Sequence, residues 1–247
     1  MNVLIVGGTS GIGLGFVHHC LSHPQVKTLY ATYRHLDTAQ DLLQLQAIHP
    51  ARLQVLPLDV LEESSLGQAL GTIQAQTPHL HLILYCVGIL HGPHLSPEKS
   101  LQQVNAQALQ AYFQINSIGG ILLAKYALPL LRHRDRSILG FISARVGSIE
   151  DNHLGGWYGY RASKAALNMF VRSAAIEYGR KSPQTIVVSL HPGTTDTKLS
   201  QPFQRNVPPE KLFSVDRTVR QLWQVLERLD GTHSGQFFAW DGSPIPW

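Results

Sequence analysis

The stretch "VLIVGGTSGIGLGFVHHCLSHP", residues 3–24, decides how the rest of the chain is read. It opens on the apolar run VLIV and turns through GGTSGIG (7–13). It then spaces Ile12, Phe16, Val17 and Cys20 along one helical stripe until Pro24 stops it. A buried strand, a tight turn and a helix are the expected order. Gly7, Gly11 and Gly13 let the backbone take tight dihedrals and approach a ligand closely, and the helix start offers free N–H groups to a phosphate. Glycine can serve packing alone in such a turn. Its place directly after an opening strand favours a nucleotide site.

Working outward, the same alternation continues. VLIVGG (3–8), TLYATY (28–33), LQVLPLDV (53–60), LHLILYCVG (80–88), SILGFIS (137–143), TIVVSLHPG (185–193) and QFFAW (236–240) read as strands. Most are apolar throughout, as expected of strands covered on both faces. Helical patterns fall at 11–23, 62–76, about 105–131, 158–178 and 217–229. This predicts an α/β fold: one domain over 1–247, with a doubly wound sheet of about seven mostly parallel strands and helices on both faces. Two segments rich in Pro, Gly and polar residues, at about 88–100 and 193–213, break the rhythm and are expected to be substrate loops at the carboxyl edge of the sheet.

Composition narrows the function classes. The 247 residues are 44% hydrophobic and 15% charged, with a net charge of +4 that is not gathered into a basic run. That argues against nucleic acid and suits an anionic small molecule. Cys20 and Cys86 lie in apolar surroundings, which implies a reducing, cytoplasmic setting and no disulfide framework. The strand beginning at the first residues leaves no room for a signal peptide, and no stretch approaches the roughly 20 apolar residues of a membrane span. The thirteen histidines are scattered without partnering Cys or Glu spacing, so no metal is expected.

A second motif bears on chemistry. "YGYRASKAALNMF" (158–170) sets Tyr160 four residues before Lys164, on one face if the stretch is helical. An exposed helical pair is the bland reading. Taken with the G-x-x-x-G-x-G turn some 150 residues earlier, however, Tyr160-x-x-x-Lys164 resembles the signature of the short-chain dehydrogenase/reductase family. The run SIEDNHLGGWYGYRASKAALNMFVRSAA and the closing FFAWDGSPIPW are similar to its C-factor-like branch, which includes carbonyl-reductase-like members. The likeness covers essentially the whole chain and implies a Rossmann-type fold.

The resemblance implies a cofactor site at Gly7, Thr9, Ser10, Gly11, Ile12, Gly13, Asp59, Val60, Gly88, Pro192, Gly193, Thr195 and Thr197, with Tyr160 and Lys164 also touching the cofactor. Arg34 follows the second strand where an acid would bind a ribose hydroxyl, so NADPH/NADP+ is expected over NADH unless Arg34 is merely solvated. Asp59 would meet the adenine amino group, or serve as a turn aspartate capping the next helix. Asn116 in INSIGG matches the family's helix asparagine, and the glycine pair beyond it predicts a kink.

Two departures stand out. The family's N-N-A-G after the fourth strand is Tyr85-Cys86-Val87-Gly88 here, and its catalytic serine falls on Ala144. Ser143 is the candidate to polarise the substrate, with Ser148 or no serine as alternatives. The expected chemistry is hydride transfer between nicotinamide and a small-molecule carbonyl or alcohol, with Tyr160 as general acid/base. Lys164 is expected to lower the phenol pKa from about 10 toward working pH. A silent NADP(H)-binding sensor is the rival. A homodimer or homotetramer is expected, with no membrane or nucleic-acid partner.

Overall fold

The computed structural model describes residues 1–247. Nine strands run through the chain: β1 (Asn2–Val6), β2 (Thr28–Tyr33), β3 (Leu53–Pro57), β4 (Leu82–Tyr85), β5 (Ser137–Ile142), β6 (Thr185–His191), β7 (Thr194–Thr195), β8 (Leu212–Phe213) and β9 (Phe237–Ala239). Seven of them form one sheet in the order β3-β2-β1-β4-β5-β6-β9, and every neighbouring pair is parallel. The order reverses between β1 and β4, the place where open α/β sheets leave a crevice for ligands. The glycine turn follows β1 and therefore sits at that crevice.

The helices are α1 (Gly11–Ser22), α2 (Gln40–Ile48), α3 (Glu63–Gln76), α4 (Ala106–Phe113), α5 (Gly119–Leu131), α6 (Tyr158–Lys181) and α7 (Val215–Arg228). Alternation along the strands explains their unbroken apolar runs. Val3 and Ile5 pack with Phe16 of α1 and Leu222 of α7, whereas Leu4 and Val6 pack on the opposite face with Leu66 of α3, Leu123 of α5 and Leu167 of α6. Burying each such side chain contributes about 2 kcal/mol, which fixes the strand register and so the positions of the loops at both ends. No helix is long and apolar enough to cross a membrane.

Several boundaries differ from the sequence reading. Helix α2 goes unpredicted because only Leu42 of its nine residues is buried, so its apolar stripe is faint. Strand β3 ends at Pro57 and β4 at Tyr85, and of the residues beyond them Cys86, Val87 and Gly88 line the cleft. The long segment from 105 to 131 is interrupted by a π-helical turn at Gln114–Ile118, at the place where a kink was expected. The 193–213 segment is more ordered than a plain loop. Its ends pair as β7 and β8, and Arg217 stacks 3.6 Å above the Phe213 ring.

Candidate active site

A cleft of about 700 Å³ opens at the carboxyl edge of the sheet. The glycine turn forms one wall, the residues after β4 and β5 form the floor, and α6 with the 191–200 segment closes the far side. Gly7 and Gly11 have φ of 84° and 51°, and a Cβ at Gly13 would lie 2.0 Å from the Gly7 carbonyl oxygen. Only glycine permits that turn. The Gly7 amide donates to Thr32 Oγ1 at 3.1 Å, which ties the turn to the end of β2. Ser10 caps α1 without a side-chain bond to it, so no capping hydroxyl occupies the first N–H groups of the helix. They are donors for an anion. Thr9 is half-buried in the turn. Arg34 is exposed two residues beyond Thr32 and forms no ion pair with an acid.

Tyr160 and Lys164 occupy the first two turns of α6, and both line the cleft. The Lys164 ammonium lies 5.9 Å from the Tyr160 ring centroid and donates to the Ile142 carbonyl at 3.0 Å. A Cβ at Gly88 would sit 3.5 Å from that ammonium and 3.4 Å from Asn116 Oδ1. Gly88, Asn116 and Lys164 therefore share one corner. Lys164 is only 3% exposed, and burial lowers its pKa to about 8. Burial also pushes the Tyr160 phenol above its ordinary value, with Tyr112 adding to the rise. The lowering expected from Lys164 is thus not met by the protein alone. Desolvation outweighs a cation whose own charge is destabilised.

Asn116 hangs from the π-helical turn. Its Oδ1 accepts from the Ile89 amide at 2.8 Å, and its Nδ2 donates to the Ile89 carbonyl at 2.9 Å and to Ser163 Oγ at 3.0 Å. The widened turn frees this side chain from bonding its own helix, a pattern recurrent at functional sites. Pro192 and Gly193 line the cleft after β6, and the Thr197 methyl lies 3.2 Å from where a Gly11 Cβ would be. The Thr195 hydroxyl is buried against Thr218 of α7 at 2.8 Å, so it braces the segment. Asp59 accepts from the Leu61 amide at 3.0 Å in a turn ahead of α3, whose cap is Glu62. Val60 is buried against Gly119. Neither Asp59 nor Val60 lines the cleft.

Ser143 does not turn its hydroxyl to Tyr160. That hydroxyl is buried and donates to Asn168 Oδ1, two turns further along α6, at 2.8 Å. Successive residues of extended chain point opposite ways, and it is Ala144 that packs against the small cluster containing Tyr160, Tyr112, Leu90 and Leu95. Ser148 accepts from the Asp151 amide at 3.1 Å outside the cleft lining. Sequence reasoning did not single out His191. It lines the cleft, accepts from the Arg145 amide at 3.2 Å, and is held neutral by burial and Arg145, its pKa lowered to about 4. Sequence reasoning also missed Glu98, which no local pattern marks.

A sheet edge opening at a glycine turn and closed by a buried tyrosine–lysine pair defines an oxidoreductase class. The family described as short chain dehydrogenase matches residues 1–208, and the chain belongs to that family. It is 33% identical to the C-signal protein of Myxococcus xanthus over 148 residues, 60% of this chain and 84% of that one. It is 25% identical to an uncharacterized oxidoreductase of Schizosaccharomyces pombe over 98% of this chain and 96% of the other. Among solved structures it is similar to an NADPH-bound carbonyl reductase from chicken fatty liver, with a TM-score of 0.89 and 29% identity over 100% of this chain and 98% of that one. The carbonyl reductase Sniffer of D. melanogaster gives a TM-score of 0.88 and 27% identity, covering 100% and 99%.

Proposed function

We propose that the chain is an NADPH-dependent reductase of apolar or aromatic carbonyl compounds, with Tyr160 as the proton donor. The observation that carries this reading is the Tyr160–Lys164 pair, buried in one cleft with the phenol unclaimed by any protein group. The residues fit a dinucleotide. The glycine turn and the start of α1 accept its phosphates, Arg34 suits a 2′-phosphate, and Gly88, Pro192, Gly193 and Thr197 border the nicotinamide end. The NADPH-bound chicken carbonyl reductase supports the same cofactor. When bound, the cofactor supplies the hydride.

The protein's own part is acid catalysis and placement. A phenol held above its ordinary pKa is protonated throughout the neutral range, which suits donation to a developing alkoxide and so favours reduction. Lys164 stands beside it with a proton poised near pH 8, and Asn116 braces the loop that borders both. The role expected of Ser143 passes to no serine in this reading. The 88–100 and 193–213 segments supply substrate contacts. Trp157 lies 6.1 Å from Tyr160 and 5.0 Å from Phe203, ring centre to ring centre, making an aromatic wall beside the acid. Exposed Met169 and Ile176 on the outer face of α6 support pairing of copies.

Loss of NADPH absorbance with a panel of aromatic aldehydes, ketones and quinones tests the reading, with NADH run in parallel. NADPH consumption exceeding that of NADH is the expected result. The second reading, a cofactor-binding sensor without turnover, is favoured by Ala144 and by the tied hydroxyl of Ser143. Tight NADPH binding with no consumption across the panel would establish it.

A further inference from the structure

The first turn of α6 carries Tyr160, and the one local side chain that braces its entry is Arg161, whose guanidinium donates to the Gly156 carbonyl at 3.0 Å. The cap residue, Trp157, makes no side-chain bond to the helix. Trp157 is also the only residue other than glycine with a positive φ, at 51°, and follows Gly155 and Gly156 at 64° and 65°. Three successive left-handed residues are strained for an indole-bearing position and persist only where the surroundings impose them.

Arg161 grips Gly156, and the hold on Trp157 and Gly159 comes from Glu98, 61 residues before Gly159. Glu98 is 2% exposed. Its Oε2 accepts from the Gly159 amide at 3.1 Å, and its backbone carbonyl accepts from the Trp157 amide at 2.5 Å. An oxygen acceptor on the second amide of a helix supplies the missing cap. Gly159 is matched to it: a Cβ there would lie 2.4 Å from Tyr112 Cδ2 and 3.0 Å from Glu98 Oε1. The start of the same loop is already fixed, because Ile89 bonds Asn116 and the Leu90 carbonyl accepts from the Tyr112 hydroxyl at 2.8 Å.

We propose that Glu98 is a positioning residue. It clamps the end of the 88–100 segment onto the first turn of α6, holding the Trp157 indole and the Tyr160 phenol at the spacing the carbonyl substrate requires. The kinetic part rests on the carbonyl-reductase reading, and the clamp itself does not. Glu98→Gln keeps an oxygen acceptor for Gly159, whereas Glu98→Ala removes it. Gly159→Ala drives a methyl against the Tyr112 ring and the carboxylate together, so it is expected to loosen the same turn from the other side.

Two measurements decide it. In hydrogen exchange on the cofactor-free protein, Glu98→Ala and Gly159→Ala are expected to speed exchange at least about 10-fold in peptides covering 88–100 and 155–162 together. The β1, β5 and β6 peptides should stay at wild-type rates, and Glu98→Gln should stay close to wild type throughout. With naphthaldehyde as substrate, kcat is expected to fall about 10-fold in the alanine variants and by less than about 3-fold in Glu98→Gln, with KM for NADPH unchanged. Unchanged exchange in 155–162, or acceleration spread evenly over every peptide, overturns the clamp. An unaltered kcat despite local acceleration overturns the positioning role. A wild-type protein inert toward naphthaldehyde but showing the local exchange pattern sinks that substrate assignment and leaves the clamp standing.

Discussion

At the amino end of the central sheet, buried polar groups find one another. Ser137, Ser182 and Thr185 bring their hydroxyls within 2.8–2.9 Å of one another and gather around the Leu131 carbonyl that ends α5, sharing their three protons among these acceptors. Arg136 donates to the Leu226 and Leu229 carbonyls at the end of α7, and Arg52 does the same for Leu21 at the end of α1. At the carboxyl end the accounts stay open. Lys164 is a buried cation facing a single carbonyl, Asn168 Nδ2 and Glu98 Oε1 lack partners, and positive φ angles cluster at Gly7, Gly11, Gly155, Gly156, Trp157 and Gly193. The amino edge satisfies most of its groups, His133 Nδ1 being a buried exception, whereas the carboxyl edge keeps a buried cation, unpaired polar atoms and most of the positive φ angles beside the cleft.

Substitutions at the two ends should therefore move stability and turnover in different directions. Lys164→Met is expected to reduce carbonyl turnover by about 100-fold or more. It should also stabilise the cofactor-free protein by about 3 kcal/mol at neutral pH, since folding lowers this lysine from 10.5 to about 8 and so disfavours its charged form. The gain should shrink as pH rises from about 8 to 10.5, where the unfolded lysine also loses its proton. Urea melts across that range check the sign. Arg136→Ala should do the reverse, destabilising by about 2 kcal/mol through the freed helix-end carbonyls while kcat holds. An activity loss there would break the contrast.

Smaller effects sharpen it. Arg34→Asp is expected to lower the ratio of kcat/KM for NADPH to that for NADH by about 10- to 100-fold, because the new acid repels a 2′-phosphate. Little change would mean that Arg34 is only a solvated strand end. Ser143→Ala should leave turnover within about 3-fold and cost about 1 kcal/mol in a thermal melt, as expected for a hydroxyl engaged by Asn168. A loss approaching 100-fold would return the polarising role to Ser143.

Legibility followed the same division. The apolar strand runs and the glycine turn are local patterns, so a mostly parallel sheet and a ligand edge at its carboxyl end were readable from residues 3–24 outward, whereas the strand order was not. Tyr160 and Lys164 were readable because i, i+4 spacing survives folding. Helix α2 was not, since one buried leucine leaves no stripe. The direction of the Ser143 hydroxyl depends on Asn168, and the clamp on α6 depends on Glu98, both long-range contacts. The Tyr160 shift was misjudged because a neighbouring cation is visible in sequence whereas desolvation is not.

The most direct test is Tyr160→Phe, which deletes one hydroxyl and leaves the buried ring in place. Steady-state NADPH oxidation with an aromatic aldehyde should fall about 1,000-fold or more, within the range for loss of a positioned general acid. NADPH titration should give a Kd within about 3-fold of wild type. A variant that keeps most of its turnover would show that the proton comes from elsewhere and contradict the account at its centre.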